Sequence, residues 1–197
     1  MGLFLEAAKS WKDLHNVKYI FKIAKKGKLT KIELSFCNED FPHLAGMQYS
    51  NDVDFGINKA EYYGELLVPA LLKGYIDDSK IEKSRNWQKI QGRLSAIIKL
   101  QTILDSDFKI VAFNRYKVRG YSEIEAKFVI TDKNSEDVFF VFLDKKTDRY
   151  YCKSAFKKEL TDYTGNQTSM HILRKVKIID NIEKVLFTHP NYNSDCF

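Results

Sequence analysis

The chain has 197 residues with 44% hydrophobic and 29% charged side chains, which suits a single folded domain with one core. Its three cysteines form neither a CxxC pair nor an even set, and this argues against a disulfide framework and a structural zinc site. No apolar run is long enough to cross a bilayer and no secretory signal is visible, so we expect a cytoplasmic protein with no membrane partner.

The net charge of +6 is concentrated near the amino terminus. Residues 1–35 hold eight lysines against three acids, and the difference, 8 − 3 = 5, accounts for +5 of the total. A pI near 9.0 and a local excess of this kind favour a polyanionic partner.

Residues 1–36 predict a short amphipathic helix followed by a β-hairpin. Apolar residues recur at helical spacing up to residue 15, and from Val17 apolar and polar residues alternate on both sides of a lysine-rich turn. Six lysines lie outside the core pattern of this hairpin: Lys18, Lys22, Lys25, Lys26, Lys28 and Lys31. Two interpretations stay open, because such lysines can contact phosphates or can keep an edge strand from pairing with another molecule.

The stretch FCNEDFPHLAGMQY, residues 36–49, holds the one histidine that looks deliberately placed. Asp40 is expected to cap a helix with Pro42 in its first turn, which would put His43 beside the positive end of that helix. An anion and a proton-transferring histidine would both suit this position. The alternative is that His43 packs beside Phe41 and bonds a nearby carbonyl.

Helices are predicted through the rest of residues 37–107. Asn58 is expected to cap one helix, and Ser84 is expected to cap the longest, which presents an apolar face over residues 87–104. Arg93 should lie on or beside the polar face of that helix.

Residues 108–180 are strand-like. Segments rich in β-branched and aromatic residues are separated by polar turns and cover residues 109–116, 122–131, 137–143, 149–154 and 171–179. Residues 139–143 are apolar at five consecutive positions, so their strand should be central and covered on both faces. The sequence therefore predicts an α+β fold, in which an N-terminal helix and hairpin precede central helices packed on a C-terminal antiparallel sheet of four to five strands. We expect one domain over residues 1–197, with 181–197 as a C-terminal tail.

The motifs of most cofactor-dependent enzymes are missing from the sequence. It contains no Walker loop, GxGxxG, HExxH or GxSxG, and we expect neither a cofactor nor a metal ion. Eight polar side chains on the predicted sheet and helices remain as candidates for chemistry: His43, Arg93, Lys127, Tyr151, Ser154, Tyr163, Gln167 and Arg174.

Several pieces of the sequence resemble the phage-associated Barnase/EndoU/colicin/RelE-like nuclease families, most closely the fourth phage family. The matching pieces, spread over residues 17–179, are FPHLAG, SEIEAK, CKSAF, YTGNQ and the basic strand HILRKVKI. Lys127 stands where the family pattern has an acid, and Ala155 stands where it has an aromatic residue.

The resemblance implies a helical front on an antiparallel sheet and an RNA substrate cleaved without a metal ion. In such cleavage the neighbouring 2′-hydroxyl is the nucleophile, and the enzyme supplies a base, an acid and cations. His43 would then be base or acid, and Lys127 and Arg93 would bind phosphate. Ser154, Tyr151 and Gln167 would position the RNA, with Tyr163 and Arg174 as further contacts.

Each assignment has an ordinary structural alternative. Lys127 would be a solvated lysine, Arg93 would pair with an acid of a neighbouring helix, and Gln167 would order a turn. A second function is also open, namely a non-enzymatic anti-CRISPR inhibitor that binds a Cas9-type ribonucleoprotein. ADP-ribosyl transfer ranks last, because neither an R-S-E nor an H-Y-E arrangement is visible. The sequence does not predict the RNA, the host or the oligomeric state.

Overall fold

The computed structural model describes residues 2–56, 64–120, 122–132 and 137–194. In these ranges four α-helices pack against one nine-stranded sheet. The helices are α1 (Leu3–Asp13), α2 (Phe41–Leu44), α3 (Leu67–Leu72) and α4 (Trp87–Asp105), with short 3-10 turns at Asn38–Asp40, Met47–Tyr49, Asp78–Lys83 and Arg115–Lys117. None of the described helices is long and apolar enough to cross a membrane.

The strands form a single sheet in the order β7-β3-β4-β5-β6-β2-β1-β8-β9. Their bounds are β1 (Val17–Lys25), β2 (Lys28–Leu34), β3 (Phe108–Ala112), β4 (Phe128–Asp132), β5 (Phe139–Lys145), β6 (Tyr150–Lys157), β7 (Thr168–Ser169), β8 (His171–Ile179) and β9 (Ile182–Thr188). All neighbours are antiparallel except β2 and β6, which meet in parallel at Leu34 and Tyr150. This pairing joins the strands β7-β3-β4-β5-β6 to the strands β2-β1-β8-β9.

The α+β class is confirmed, but the expected sheet of four to five strands is wrong. The hairpin is part of the same sheet because β1 pairs along β8, and the supposed tail contributes β9. Asp180 and Asn181 connect β8 to β9 with φ angles of 48° and 66°. Left-handed residues of this kind form the tight turns of β-hairpins, and Asp and Asn tolerate them.

The main core lies between α1, α4 and one face of the sheet. Tyr19, Phe21 and Ile23 of β1 point into it and are fully buried, as the alternating pattern predicts. The prediction for residues 139–143 is also confirmed, because this strand has its odd residues in the main core and Phe140 and Phe142 in a second cluster on the opposite face.

Two predicted helix starts are wrong in detail. Asp40 forms no capping hydrogen bond, and α2 ends after four residues because Gly46, with φ 82°, turns the chain away. A helix this short offers no helix-end anion site. Ser84 does not cap α4, which begins after Asn86; its hydroxyl donates to Asp52 over 2.9 Å. The predicted cap Asn58 lies outside the described residues.

The strand predicted over residues 122–131 is shorter than expected. Residues 122–127 have no regular structure, and β4 begins only at Phe128. This irregular segment forms one wall of the cavity described below.

Candidate active site

A buried arginine of α4 lies at the centre of the site. Arg93 is only 9% exposed, although the sequence predicted it on or beside the polar face of its helix. Next to Arg93, the helix α4 packs on β6. Gly92 is so close to this strand that a Cβ atom added to it would be in van der Waals contact with Lys157, at 4.0 Å. Gly46 leaves room for the arginine, because a Cβ atom there would lie 3.0 Å from Arg93 Cδ.

The guanidinium of Arg93 is held by two hydroxyls and two rings. Its Nη1 donates to Ser154 Oγ over 3.2 Å, and its Nη2 lies 3.5 Å from the hydroxyl of Tyr49. The guanidinium carbon is 5.2 Å from the ring centre of Tyr49 and 5.6 Å from that of Phe156. Such cation–π contacts fix the plane of the cation without neutralising its charge.

Within the described part of the chain, no carboxylate forms an ion pair with Arg93. Burial lowers the pKa of its guanidinium, and the nearby hydroxyls of Tyr49 and Tyr163 oppose this effect only in part. Since a buried charge without a counter-charge is costly, this site favours the arrival of an anion. The expected alternative, an ion pair with an acid of a neighbouring helix, is therefore wrong among these residues.

A cavity of about 520 Å³ opens beside this arginine. Tyr163 forms part of its wall and is held by Phe140, Phe142 and Phe156, with ring centres 5.3 to 5.5 Å away. Two lysines also line it, one from α4 and one from the end of β6. The full lining is Tyr49, Lys89, Gly92, Arg93, Ser122, Glu123, Ile124, Phe156, Lys157, Glu159, Leu160, Thr161 and Tyr163.

His43 belongs to the electrostatic neighbourhood of this cavity. Its side chain is only partly exposed on α2, which packs against β6. Burial lowers the pKa of its imidazole, and the positive charges of Arg93 and Lys153 lower it further. The ring is therefore neutral near pH 7, which is the form that accepts a proton.

A cluster of ion pairs fixes the segment that carries His43. The Asp40 carboxylate, with 3% side-chain exposure, lies 2.9 Å from both Arg149 and Lys146 at the β5–β6 turn. Glu39 adds a 2.9 Å contact to Arg149. We call these four residues the Asp40 clamp. The clamp explains why Asp40 does not cap α2, because its carboxylate is already occupied by distant cations.

The structure brings four of the eight predicted residues together and places the other four elsewhere. Arg93 and Tyr163 line the cavity, Ser154 bonds Arg93, and His43 is close enough for the charge of Arg93 to lower its pKa. Tyr151 lies beside the Asp40 clamp, since Lys146 is 4.8 Å from its ring centre.

The remaining three residues lie away from the cavity lining. Lys127 is exposed just before β4. The side-chain amide of Gln167 donates to the backbone carbonyl of Asn114 over 3.0 Å and accepts its N–H over 2.9 Å. Arg174 is on β8, three strands from β6.

Sequence reasoning missed Tyr49, Phe156, Lys89 and Lys157. Phe156 could have been found, because the sequence CKSAF places Ala155 in the main core and the next residue on the opposite face. The two lysines had no distinguishing signal. In the described ranges no three His, Cys, Asp or Glu side chains are grouped as metal ligands would be.

One comparison with known proteins gives a match. The family model described as phage-Barnase-EndoU-ColicinE5/D-RelE like nuclease4 matches residues 3–189, which include every residue of the site. It confirms the resemblance seen in the sequence. No curated protein and no solved structure matches the chain significantly.

Proposed function

The chain belongs to the phage-Barnase-EndoU-ColicinE5/D-RelE like nuclease family, and on this premise we propose that it is a metal-independent endoribonuclease acting through Arg93 and His43. The observation that carries the proposal is the buried guanidinium of Arg93, which has no carboxylate partner among the described residues and borders an open cavity. A phosphate diester supplies the missing negative charge.

The reaction uses the 2′-hydroxyl of the RNA as nucleophile. His43, neutral near pH 7, accepts the proton of that hydroxyl as it attacks the phosphorus. Arg93 stabilises the charge that develops on the phosphorane, and Ser154 holds the guanidinium in place. Burial raises the pKa of Tyr163, so its phenol stays protonated and can donate to the leaving 5′-oxygen. The products are a 2′,3′-cyclic phosphate and a 5′-hydroxyl, and no cofactor takes part.

The test is incubation of labelled total RNA with the protein in EDTA, followed by mapping of the fragment ends. We expect discrete fragments with 2′,3′-cyclic phosphates. An RNA with hydrogen in place of the 2′-hydroxyl at the cut site should stay intact, and its cleavage would refute the mechanism.

His43→Ala should lower the rate by about a hundredfold to ten-thousandfold, the usual contribution of a proton-transfer group. The matched control is His171→Ala, which removes an exposed histidine from β8 and should leave the rate unchanged. Equal rates for wild type and His43→Ala would remove His43 from the reaction.

A binding function remains the second candidate, because the basic hairpin suits a ribonucleoprotein as well as free RNA. A guide-RNA ribonucleoprotein of the Cas9 type is the partner to test in the same experiment. Tight binding to it, without fragments from any RNA, would favour a non-enzymatic inhibitor from a phage or mobile element.

A further inference from the structure

A row of positive side chains crosses three neighbouring strands, far from the cavity in strand order. Lys31 of β2 lies opposite Lys22 of β1, and Lys22 lies opposite Arg174 of β8. Directly opposed residues of neighbouring strands point to the same face of a sheet. Since Phe21 and Ile23, on either side of Lys22, point into the main core, the row projects from the outer face.

This row brings three positive side chains together on neighbouring strands. Like charges directly opposite each other on neighbouring strands destabilise a sheet. The row itself contains no acid; Glu33 in the next row lies 2.6 Å from Lys31, but both side chains are 40% or more exposed and such pairs contribute little. The arrangement therefore suits a surface that receives negative charge from a partner.

Tyr192, which follows β9, contacts two members of the row. Lys22 Nζ donates to the Tyr192 hydroxyl over 2.7 Å, and the Arg174 guanidinium lies 5.5 Å from the centre of its ring. The pKa of Tyr192 is lowered, first by the hydrogen bond from Lys22 and then also by Arg174, since both stabilise the phenolate. The potential at this surface is therefore positive.

The row lies on the same side of the sheet as the residues that reach the cavity. Leu34 of β2 and its partner Tyr150 of β6 both face the main core. Ser154, which bonds Arg93, pairs with Phe142 of the opposite cluster. One outer face therefore runs from β6 through β2 and β1 to β8.

We propose that Lys31, Lys22 and Arg174, with Tyr192 beside them, form a second contact surface for the phosphate backbone of single-stranded RNA that occupies the cavity with another part of its length. The proposal rests on the proposed function for the identity of the polyanion. It assigns RNA binding to the lysines of the sheet face and not to those of the hairpin turn.

The test compares two variants that each remove three positive charges. The row variant is Lys22→Gln, Lys31→Gln and Arg174→Gln, and the turn variant is Lys25→Gln, Lys26→Gln and Lys28→Gln. Binding of a 2′-O-methylated single-stranded RNA, which cannot be cleaved by 2′-hydroxyl attack, is measured across a salt series. Each lost phosphate contact lowers the log–log salt slope by about 0.7, so the row variant should flatten it by about two and the turn variant should not change it.

Two controls keep the result interpretable. The charge-conserving variant Lys22→Arg, Lys31→Arg and Arg174→Lys should retain the wild-type slope, and melting curves show whether each variant is folded. A wild-type slope in the row variant, or equal flattening in both triple variants, would overturn the proposal. If wild type cleaves no RNA but the row variant still flattens the slope, the contact surface stands and the nuclease proposal fails.

Discussion

Two buried charges of this protein have opposite surroundings. The carboxylate of Asp40 is 2.9 Å from two cations, whereas the guanidinium of Arg93 has two hydroxyls and two aromatic rings beside it. The two residues are almost equally buried and both lie next to β6, so the degree of burial does not explain why only one of them has a counter-charge. A charge that only stabilises a fold is compensated by its neighbours, and a charge that awaits a ligand is not.

Removal of the uncompensated charge should affect activity far more than stability. Arg93→Met keeps most of the side-chain length, and we expect cleavage to fall by about a hundredfold to a thousandfold, as when one donor to a developing oxyanion is lost. The melting temperature should stay level or rise, because a buried charge with no described counter-charge is replaced by an apolar group. The measurement is the cleavage rate together with a thermal melt.

A large loss of stability in Arg93→Met would contradict this contrast and make Arg93 a structural residue. Arg93→Lys serves as the second variant, since it keeps the charge but loses the planar fork that Ser154 and the rings orient. It should recover only part of the rate.

The compensated charge should behave in the reverse way. Asp40→Asn removes the carboxylate from Arg149 and Lys146, and we expect a loss of about 3 kcal/mol in the free energy of unfolding, at the low end for broken buried pairs. The low end applies because the Lys146 side chain is 40% exposed and can be resolvated. This loss in the free energy of unfolding is measured by denaturant unfolding of wild type and variant.

Cleavage by folded Asp40→Asn should fall modestly, because the clamp positions α2 and its His43 but touches no substrate. A variant of an exposed pair, Glu125→Gln, is the control, as the Arg115–Glu125 contact is 65% exposed on the acid side and should contribute little. Equal stability losses in the two variants would mean that the clamp is no more than a surface ion pair.

Local patterns of the sequence predicted much of the fold. The alternation in β1 and the apolar run in β5 are decided by neighbouring residues, and both predictions are confirmed. The bounds of β8 also agree with the predicted residues 171–179.

The site depends on contacts that no local pattern contains. Arg93 bonds a serine 61 residues away, and Asp40 pairs with Lys146, 106 residues away. Asp40 does not cap α2 because its carboxylate pairs with Lys146 instead. That ion pair forms only when the β5–β6 turn packs beside α2. The pairings of β1 with β8 and of β2 with β6 likewise join residues far apart in the chain, and together they unite the predicted hairpin and the predicted C-terminal strands in one sheet.

The smallest expected effect is a shift in the pH dependence of cleavage, and it measures how the neighbouring positive charges act on His43. Because the pKa of His43 lies below 6.5 in the folded protein, the neutral base persists to lower pH, and the acid limb of the rate profile should have its midpoint below 6.5.

The lowered pKa of His43 also makes the free energy of unfolding depend on pH. Below pH 6.5 the unfolded chain binds more protons at this histidine than the folded protein does. The contribution of His43 to stability is therefore present above pH 6.5 and is lost as the pH falls towards the pKa of the folded state.

Lys153→Gln removes one of the two charges that lower the pKa of His43 and should move the acid limb of the rate profile to higher pH. Lys127→Gln, at an exposed lysine outside the cavity lining, should leave the acid limb in place. An equal shift in both variants would show that His43 senses only the net charge, and a loss of cleavage in Lys127→Gln would bring Lys127 back into the site.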